Sequence, residues 1–434
     1  MNNQDSLKDI PITVVPGPVN RLHWQRRAVQ ILTVTLLVLV PLTGLLRIDP
    51  IAGAFVILGR QIWWSDFFLI FGMWILLASA LVLVYSTLGT AFCGWSCPQN
   101  SLSEWANAMT KKLLGKRAEI SLEGRKMALA SRKNRWLNWG VLSGMMLLVS
   151  AFFALIPLLY FYPPQIIWAF ITVQDNAGLA ASLHYIYIIF VLLVLLDVAF
   201  IRHFWCRFMC IYKVWQHGFK TQQTLHIHYD ETRSTECKKC NFCTTACFLE
   251  LDPKQTNVYD SCVNCGECIT ACARLQAKKS KPALLSFKIG QTNPDKMANV
   301  STRLAGLSTR VRWTLPFTTL GLLMFVWGLY SYEPYHLSVY RADQNHGSAI
   351  RDYRVAVFNK RYENARLSVS IEGLDRDAYS ITKPSVEFTA AGRIDLELRI
   401  SAAMPQGLHS FFVRVQSTDG WQARYRVQHF VGRT

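Results

Sequence analysis

Five long apolar segments constrain this chain more than any other feature of its sequence. They cover residues 28–46, 67–90, 139–162, 185–201 and 313–332. Each approaches the roughly 20 residues that an α-helix needs to cross the hydrocarbon core of a bilayer. Charged residues make up only 17% of the chain, whereas about 25% is usual in soluble proteins. The sequence therefore predicts a multi-pass α-helical membrane protein with five transmembrane helices.

The distribution of Lys and Arg predicts the direction in which the chain crosses the membrane. The loop between the second and third segments is rich in both residues, whereas the loop between the third and fourth has neither. Short loops that carry Lys and Arg stay on the cytoplasmic side. We therefore expect a cytoplasmic amino terminus and, after five crossings, a carboxy terminus on the opposite side.

The net charge of +18 lies mainly beside the apolar segments. Anionic lipid headgroups attract basic residues at such positions. A nucleic-acid-binding domain would instead gather them into a patch or stripe on one of its faces. Membrane lipid is therefore the expected partner of these charges, and no nucleic-acid partner is predicted.

All 12 cysteines lie between Cys93 and Cys272, and the tail that follows contains none. The predicted orientation places them on the cytoplasmic side or at that face of the membrane. Thiols in the cytoplasm stay reduced and are available to bind metal, whereas disulfide frameworks belong to oxidising compartments. These cysteines are therefore expected to be metal ligands or redox groups.

Two runs of four cysteines with identical spacing carry the strongest chemical signal. They are Cys237, Cys240, Cys243 and Cys247, then Cys262, Cys265, Cys268 and Cys272. This is the ligand spacing of two-cluster ferredoxins, in which the fourth cysteine of each run binds the other cluster. Zinc sites also use four cysteines, but they do not explain a tight run of three with a separate fourth. The runs predict a ferredoxin-like module with two [4Fe–4S] clusters that transfers electrons.

The predicted ligands are therefore paired crosswise between the two runs. The first cluster is assigned Cys237, Cys240, Cys243 and Cys272. The second cluster is assigned Cys262, Cys265, Cys268 and Cys247. A proline usually follows the fourth cysteine of such a run, but Phe248 and Ala273 stand there. Because proline is not a ligand, this difference is expected to affect the environment of the clusters and not their binding.

Two further cysteine pairs, Cys93 with Cys97 and Cys206 with Cys210, follow the second and fourth apolar segments. Each pair is expected at the same membrane face, so the four thiols could meet in the folded bundle. Pro98 is expected to begin a helix, which would place Cys97 at its amino-terminal end and lower the pKa of that thiol. Copper(I) ligands, a redox dithiol, a further cluster and packed free thiols all fit this pattern.

A few polar residues near these motifs give weaker signals. His203 lies close to Cys206 and is a candidate to contact the thiols. Asp197 lies inside the fourth apolar segment, where an ionisable residue suggests proton uptake or a partner in His203 or Arg202. His226 and His228 alternate in a possible strand before the first run, where satisfied loop histidines are the expected reading.

The tail from residue 333 changes to short alternating runs. They cover residues 354–358, 366–371, 386–389, 393–401, 410–415 and 424–430, with turn residues between them. Roughly seven short strands in about 100 residues are typical of an immunoglobulin-like sandwich. No disulfide is available to this tail, and it shows no catalytic group of residues.

These motifs together resemble the CcoG family, also called FixG or RdxA. The resemblance rests on Phe-Cys-Gly-Trp-Ser-Cys-Pro-Gln at residues 92–99, a second Cys-x-x-x-Cys pair, the two ferredoxin runs, a fifth span and the tail. The chain is also similar to NapH-type ferredoxins, which share the membrane cysteines and cluster runs but lack the tail.

The resemblance implies a role in assembling cbb3-type cytochrome c oxidase, by reducing Cu(II) to Cu(I) for copper delivery. It makes Cys93, Cys97, Cys206 and Cys210 the redox or copper cysteines, and the eight run cysteines the ligands of the two clusters. It implies the bacterial inner membrane, a periplasmic tail, a quinol or cytoplasmic reductant as electron donor, and copper-delivery or oxidase-assembly partners. Ile211 and Phe248 stand where the family usually has proline.

Two other functions stay open from the sequence. One is a quinol-linked electron-transfer subunit that serves a separate reductase, and the other is a redox sensor or assembly factor without catalysis. In every case the expected organisation is a cytoplasmic segment 1–27, a four-helix region 28–204, a cytoplasmic cluster module 205–312, a fifth span 313–332 and a periplasmic domain 333–434.

Overall fold

The computed structural model describes residues 21–50, 53–115, 118, 120–122, 128–175, 179–221, 223–237, 240–256, 260–289, 306–341, 352–401 and 404–431. The predicted segment 1–27 therefore lies mostly outside the described residues. The chain divides into two compact units. One comprises Met1–Leu39, Ile75–Leu158 and Asp175–Leu320, and the other comprises Val40–Trp74, Leu159–Gln174 and Gly321–Thr434.

Five helices among the described residues are long and apolar enough to cross a membrane, as predicted. They are α1 (Arg21–Leu42), α2 (Phe67–Leu88), α5 (Trp136–Phe161), α7 (Leu183–Leu196, continued to Ile201) and α11 (Leu307–Tyr330). Large apolar side chains such as Leu192 and Leu323 are exposed on them. Lipid-facing surfaces explain this exposure, because a bilayer solvates apolar side chains.

Six of the described helices are shorter, and all of them except α6 carry or adjoin a cysteine motif. They are α3 (Ala91–Trp95), α4 (Pro98–Leu114), α6 (Pro164–Ile171), α8 (Ile211–Phe219), α9 (Phe242–Ala246) and α10 (Glu267–Ala277). The helix predicted to begin at Pro98 is therefore confirmed. Two strands, β4 (His226–Tyr229) and β5 (Leu285–Lys288), pair antiparallel and frame the cysteine runs.

The end of the fourth span is not a regular α-helix. Residues Asp197–Ile201 and Trp205–Met209 form two π-helical turns. Arg202 between them has a φ of 45°, a left-handed conformation that is uncommon for a residue with a side chain. Single π turns inside helices are frequent at functional sites, and the second of these carries Cys206.

The second unit contains a small sheet that the sequence did not predict. Strands β1 (Leu46–Asp49), β2 (Ala54–Ile57) and β3 (Arg60–Ile62) lie in order between α1 and α2. Lys360 in the tail accepts a backbone hydrogen bond from Gln61, and its ammonium pairs with Asp66 at 3.0 Å. This buried ion pair ties the sheet and the start of α2 to the tail.

The tail folds into two four-stranded antiparallel sheets with the strand orders β10-β8-β12-β13 and β6-β7-β11-β9. The strands are β6 (Tyr335–Arg341), β7 (Asp352–Asn359), β8 (Ala365–Glu372), β9 (Tyr379–Ile381), β10 (Ser385–Phe388), β11 (Gly392–Ile400), β12 (Gly407–Ser417) and β13 (Gln422–Val431). Buried residues from both sheets, including Val355, Leu398 and Val413, form one core. All six predicted runs are strands, β6 and β9 were missed, and the immunoglobulin-like topology stays a prediction.

Helices α2 and α11 approach closely at two glycines. A Cβ atom on Gly72 would lie 2.5 Å from the backbone nitrogen of Phe325, and one on Gly328 would lie 2.6 Å from that of Leu69. Small residues let membrane helices pack with their backbones in contact, because lipid provides little hydrophobic drive for association.

We predict that Gly328→Leu separates these helices and destabilises the protein. Overpacking a tight contact typically costs about 1–3 kcal/mol, so the melting temperature in detergent should fall by several degrees. Gly144→Leu is the matched control, because nothing lies within 4 Å of the Cβ position of Gly144 on α5. Equal melting temperatures for the two variants would contradict the predicted contact.

Candidate functional site

The two cysteine runs fold around the short helices α9 and α10. Cys243 lies on α9 and Cys268 on α10, and both side chains are buried. They share one apolar cluster with Ile227 on β4 and Leu285, the first residue of β5. The strands therefore form the wall that holds the two runs side by side.

One cavity, here called the Cys262 cavity, lies between residues of the two cysteine runs. Four thiols line it, and the other lining side chains are mainly apolar, among them Ile227, Phe248 and Leu249. The four are Cys247, Cys262, Cys265 and Cys268. Three of these cysteines come from the second run and one comes from the first.

A second cavity, here called the Cys237 cavity, also lies between residues of the two runs. Its lining includes Tyr229, Leu284, Leu285 and four thiols. The thiols are Cys237, Cys240, Cys243 and Cys272. Each cavity is therefore surrounded by the same four cysteines that the crosswise pairing assigns to one cluster, while the ligand bonds themselves stay a prediction.

The chemistry of both cavities fits a [4Fe–4S] cluster. Each is lined by four thiols, and cysteine thiolates are the ligands of such clusters. Within the described ranges, no three His, Cys, Asp or Glu side chains gather as the ligands of a single metal ion. The backbone N–H groups of Asn264 and Leu284 donate to the sulfurs of Cys262 and Cys272 at 3.5 and 3.4 Å. Hydrogen bonds of this kind tune cluster potentials.

Burial makes the thiolate form costly in the Cys262 cavity. It raises the pKa of Cys262 to about 11 and that of Cys265 to about 12. A buried thiolate therefore depends on nearby positive charge, which metal ions supply when they bind. The structure provides part of that charge, since the Arg26 guanidinium acts on the Cys265 thiol and lowers its pKa.

The other four cysteines, here called the membrane-face cysteines, are Cys93, Cys97, Cys206 and Cys210. Cys97 and Cys210 each precede the first residue of a helix, α4 or α8, and both have extended backbone angles. The Cys206 thiol interacts electrostatically with those of Cys97, Cys93 and Cys210. The structure thus brings both pairs together, as expected from their positions after the second and fourth spans.

The predicted low pKa of Cys97 is not what the structure gives. Burial raises the pKa of this thiol, and it outweighs the backbone N–H groups of Gln99 and Asn100, which act in the predicted direction. Burial also raises the pKa of Cys93 to about 12 and that of Cys206. The position of Cys97 at a helix terminus therefore does not decide its pKa, because the apolar surroundings of the thiol outweigh the local backbone.

Residues 90–97, here called the Cys93 loop, include the single-turn helix α3 with Cys93 and lie directly on the second cysteine run. Thr90 donates to the carbonyl oxygen of Cys262 at 2.7 Å, and the indole of Trp95 donates to that of Asn264 at 3.0 Å. A Cβ atom on Gly94 would lie 2.4 Å from the carbonyl oxygen of Val263. The membrane-face cysteines are therefore adjacent to the Cys262 cavity.

Side-chain packing shows the same adjacency. Cys93 packs in one apolar cluster with Leu249 and Val263, and Cys206, Cys247 and Cys265 pack against that cluster. Cys247 and Cys265 line the Cys262 cavity. The thiols of the membrane face and those of the cavity therefore belong to one continuous buried region.

The weaker candidates have structural partners. Asp197 accepts two hydrogen bonds of 2.7 Å from Gln99. Arg202 donates to Asn107, and Asn107 donates in turn to Nδ1 of His203 at 3.1 Å. His203 stacks on Phe248, and burial lowers its pKa to about 3 so that it stays neutral. His203 thus lies beside the Cys262 cavity as part of a polar network.

The two strand histidines lie on β4, as the sequence suggested. Nδ1 of His226 hydrogen-bonds to the carbonyl oxygen of Thr224 at 3.0 Å, and the side chain is buried. His228 is half-buried. Neither histidine is among the residues that line the two cavities.

Sequence reasoning missed a group of buried charges around the thiols. Arg26 donates to the carbonyl oxygen of Gly94 and pairs with Glu104 and Glu267. Lys213 donates to the carbonyl oxygen of Cys206 at 3.1 Å. Their positions beside apolar segments suggested lipid contact, and only the folded structure shows that they point toward cysteines.

Comparison with known proteins supports an iron–sulfur function. The family model described as "4Fe-4S binding domain" matches residues 70–117. This range contains Cys93 and Cys97 and not the two runs. The match is therefore compatible with a cluster at the membrane-face cysteines, which the sequence pattern gives as an alternative to copper and to a redox dithiol.

Three curated relatives carry the names of the families that the sequence motifs resemble. RdxA of Cereibacter sphaeroides is 25% identical over 250 residues, which cover 54% of this chain and 51% of RdxA. FixG of Rhizobium meliloti is 23% identical, over 75% of this chain and 71% of FixG. The ferredoxin-type protein NapH of Haemophilus influenzae is 26% identical, over 45% of this chain and 64% of NapH.

The resemblance to the FixG and RdxA family, related to NapH-type ferredoxins, is confirmed. The match spans about half the length of RdxA. With the 4Fe-4S family match, these similarities show that the chain resembles iron–sulfur proteins of the FixG, RdxA and NapH type, and its described part has five helices long and apolar enough to cross a membrane.

The cavities generate a prediction about crosswise ligation. Cys247→Ser should remove or alter the cluster of the Cys262 cavity, although Cys247 belongs to the first run. Cys272→Ser should do the same to the cluster of the Cys237 cavity. Each variant should lose about half of the roughly eight irons expected from two four-iron clusters, as measured by iron analysis and electron paramagnetic resonance (EPR).

The reciprocal variants are the control for this prediction. Cys265→Ser should change the same EPR signal as Cys247→Ser, and Cys240→Ser the same signal as Cys272→Ser. If Cys247→Ser instead changes the signal that Cys240→Ser changes, each run binds its own cluster and the crosswise assignment is wrong.

Proposed function

We propose that this chain holds two [4Fe–4S] clusters and reduces Cu(II) to Cu(I) at the membrane-face cysteines, during assembly of a cbb3-type cytochrome c oxidase. The observation that carries the proposal is the contact between the Cys93 loop and the second run, with Gly94 against Val263 and Cys265. Iron–sulfur clusters, when bound, supply one-electron transfer. A redox site for copper needs such a donor next to it.

The membrane-face cysteines suit copper for chemical reasons. Thiolates are soft ligands that favour Cu(I) over harder ions. In the reaction, Cu(II) gains one electron and becomes Cu(I), while the reduced protein loses one. The chain's own residues bind the ion, exclude water through apolar neighbours such as Leu249 and Val263, and hold the thiols together.

The orientation proposed for this function places the cysteines in the cytoplasm and the tail in the periplasm, across the bacterial inner membrane. The distribution of Lys and Arg supports it. The loop between the second and third spans is rich in both residues and the loop between the third and fourth has neither, and short loops that carry Lys and Arg stay on the cytoplasmic side.

A second candidate function is favoured by the similarity to NapH, which is named a ferredoxin-type protein. In that case the chain passes electrons from quinol to a separate reductase and has no substrate of its own. Oxidation of the reduced clusters by a copurified reductase, at a rate that copper does not change, would favour this candidate over copper reduction.

We predict that Cys93→Ala combined with Cys206→Ala abolishes copper reduction and leaves both clusters in place. One thiol is removed from each pair, so the site loses its shared ligands while the eight run cysteines are untouched. The measurement mixes chemically reduced, desalted protein with Cu(II) and follows Cu(I) with a chromogenic chelator, beside the cluster EPR signals.

Ser96→Ala combined with Met209→Ala is the matched control, since both residues lie inside the two motifs without providing a thiol. The control should reduce Cu(II) at the rate of the unmodified protein. Full activity in the double cysteine variant would show that copper is reduced elsewhere on the protein.

A further inference from the structure

Helix α8, which follows Cys210, has its polar face inside and its apolar face outside. Lys213 and Gln216 are 7% and 0% exposed, whereas Ile211 and Val214 are 83% and 74% exposed. A helix on the surface of a soluble protein shows the opposite arrangement. The outward face suits lipid, so the inward polar residues must have a function within the protein.

The buried ammonium of Lys213 lies among thiols. Its Nζ donates to the carbonyl oxygen of Cys206 at 3.1 Å. Burial lowers the pKa of Lys213, and the thiols of Cys93, Cys206, Cys262 and Cys210 act in the opposite direction. A buried charge is costly unless an opposite charge compensates for it. The groups that can compensate for the charge of Lys213 are therefore the carbonyl oxygen of Cys206 and, when they are ionised, the neighbouring cysteine sulfurs.

Gln216, one turn further along the same face, points to the same centre. Its Oε1 accepts a hydrogen bond from the Cys93 thiol at 3.2 Å. Its Nε2 is buried and has no hydrogen-bond partner within the described part of the chain. Buried donors are normally satisfied, and a side-chain amide can turn its N–H toward a thiolate once the thiol loses its proton.

The Cys237 cavity has a lysine of its own. Nζ of Lys254 donates to the carbonyl oxygen of Cys240 at 3.3 Å, and the charge acts on the thiols of Cys237 and Cys243. Lys213 and Lys254 thus have the same kind of contact, each at a different group of cysteines. A comparison of the two lysines can therefore separate a local electrostatic effect from a general one.

We propose that Lys213 is a positioning residue that compensates for negative charge on the membrane-face thiolates and on the neighbouring Cys262 centre, and so raises the reduction potential on that side. An added electron is an added negative charge, and a nearby buried cation lowers its free energy. Electrons would then move from the Cys237 centre toward the Cys262 centre and the membrane face. The inference rests on the clusters of the proposed function, but it does not require copper.

The test is an EPR-monitored redox titration of the full-length protein without copper. The Cys247→Ser and Cys272→Ser variants first assign each signal to its cavity. Lys213→Met should then shift the midpoint of the Cys262 cluster to a more negative potential and leave the Cys237 cluster unchanged. Lys254→Met should shift the midpoint of the Cys237 cluster to a more negative potential and leave that of the Cys262 cluster unchanged. Lys213→Arg keeps the charge, so both of its midpoints should stay near those of the unmodified protein.

Several outcomes would overturn the inference. The first is a fully loaded Lys213→Met protein whose two midpoints match the unmodified protein. The second is an equal shift of both clusters, which indicates a general change of structure. If Lys213→Met loses iron, Lys213→Gln is titrated instead, and an unmoved Cys262 midpoint in that variant counts against the inference in the same way.

These results are separable from the proposed function. A shift confined to the Cys262 cluster in a protein that does not reduce Cu(II) would support the role of Lys213 and refute copper reduction. If the protein reduces Cu(II) and Lys213→Met leaves both midpoint potentials unchanged, the result would support copper reduction and refute the role of Lys213. The potential is the deciding measurement, because a purely structural lysine would not move one cluster alone.

Discussion

The cysteine region depends on one buried guanidinium. Arg26 on α1 is 1% exposed, donates to the carbonyl oxygen of Gly94 at 2.7 Å, and pairs with Glu104 on α4 and Glu267 on α10. The loss of one partner from a buried ion pair typically costs about 3–5 kcal/mol, because the remaining charge is left without compensation. This residue therefore fixes the first span, the Cys93 loop and the second run relative to each other.

Arg26 and Lys213 change the interpretation of the basic composition. The excess of Lys and Arg beside apolar segments indicates membrane lipid and orientation, and that rule still accounts for the exposed residues. The buried residues Arg26 and Lys213 instead lie beside the cysteine segments. Arg26, Lys213 and Lys254 each donate to a backbone carbonyl oxygen in a cysteine segment, those of Gly94, Cys206 and Cys240 respectively. A buried region that holds thiolates needs nearby positive charges, because burial raises the pKa of thiols such as Cys93 and Cys265.

The sequence predicted the features that depend on local pattern. The five spans follow from apolar length, six of the tail strands from alternation, and the four-cysteine groups around each cavity from spacing. It could not predict features that depend on distant partners. Strands β1 to β3 are only three or four residues long, and part of their pairing is with Lys360 in the tail. The pKa of Cys97 was predicted wrongly for the same reason, since packing and not the helix end decides it.

The order of the redox groups is the feature that required the structure. The Cys237 and Cys262 cavities are symmetric in sequence, and either could have faced the membrane cysteines. Gly94 decides between them, because only a residue without a side chain lets the Cys93 loop lie against Val263 and Cys265. Thr90 and Trp95 then fasten the loop on either side of that contact. The Cys262 cavity, and not the Cys237 cavity, is thus adjacent to the membrane-face thiols.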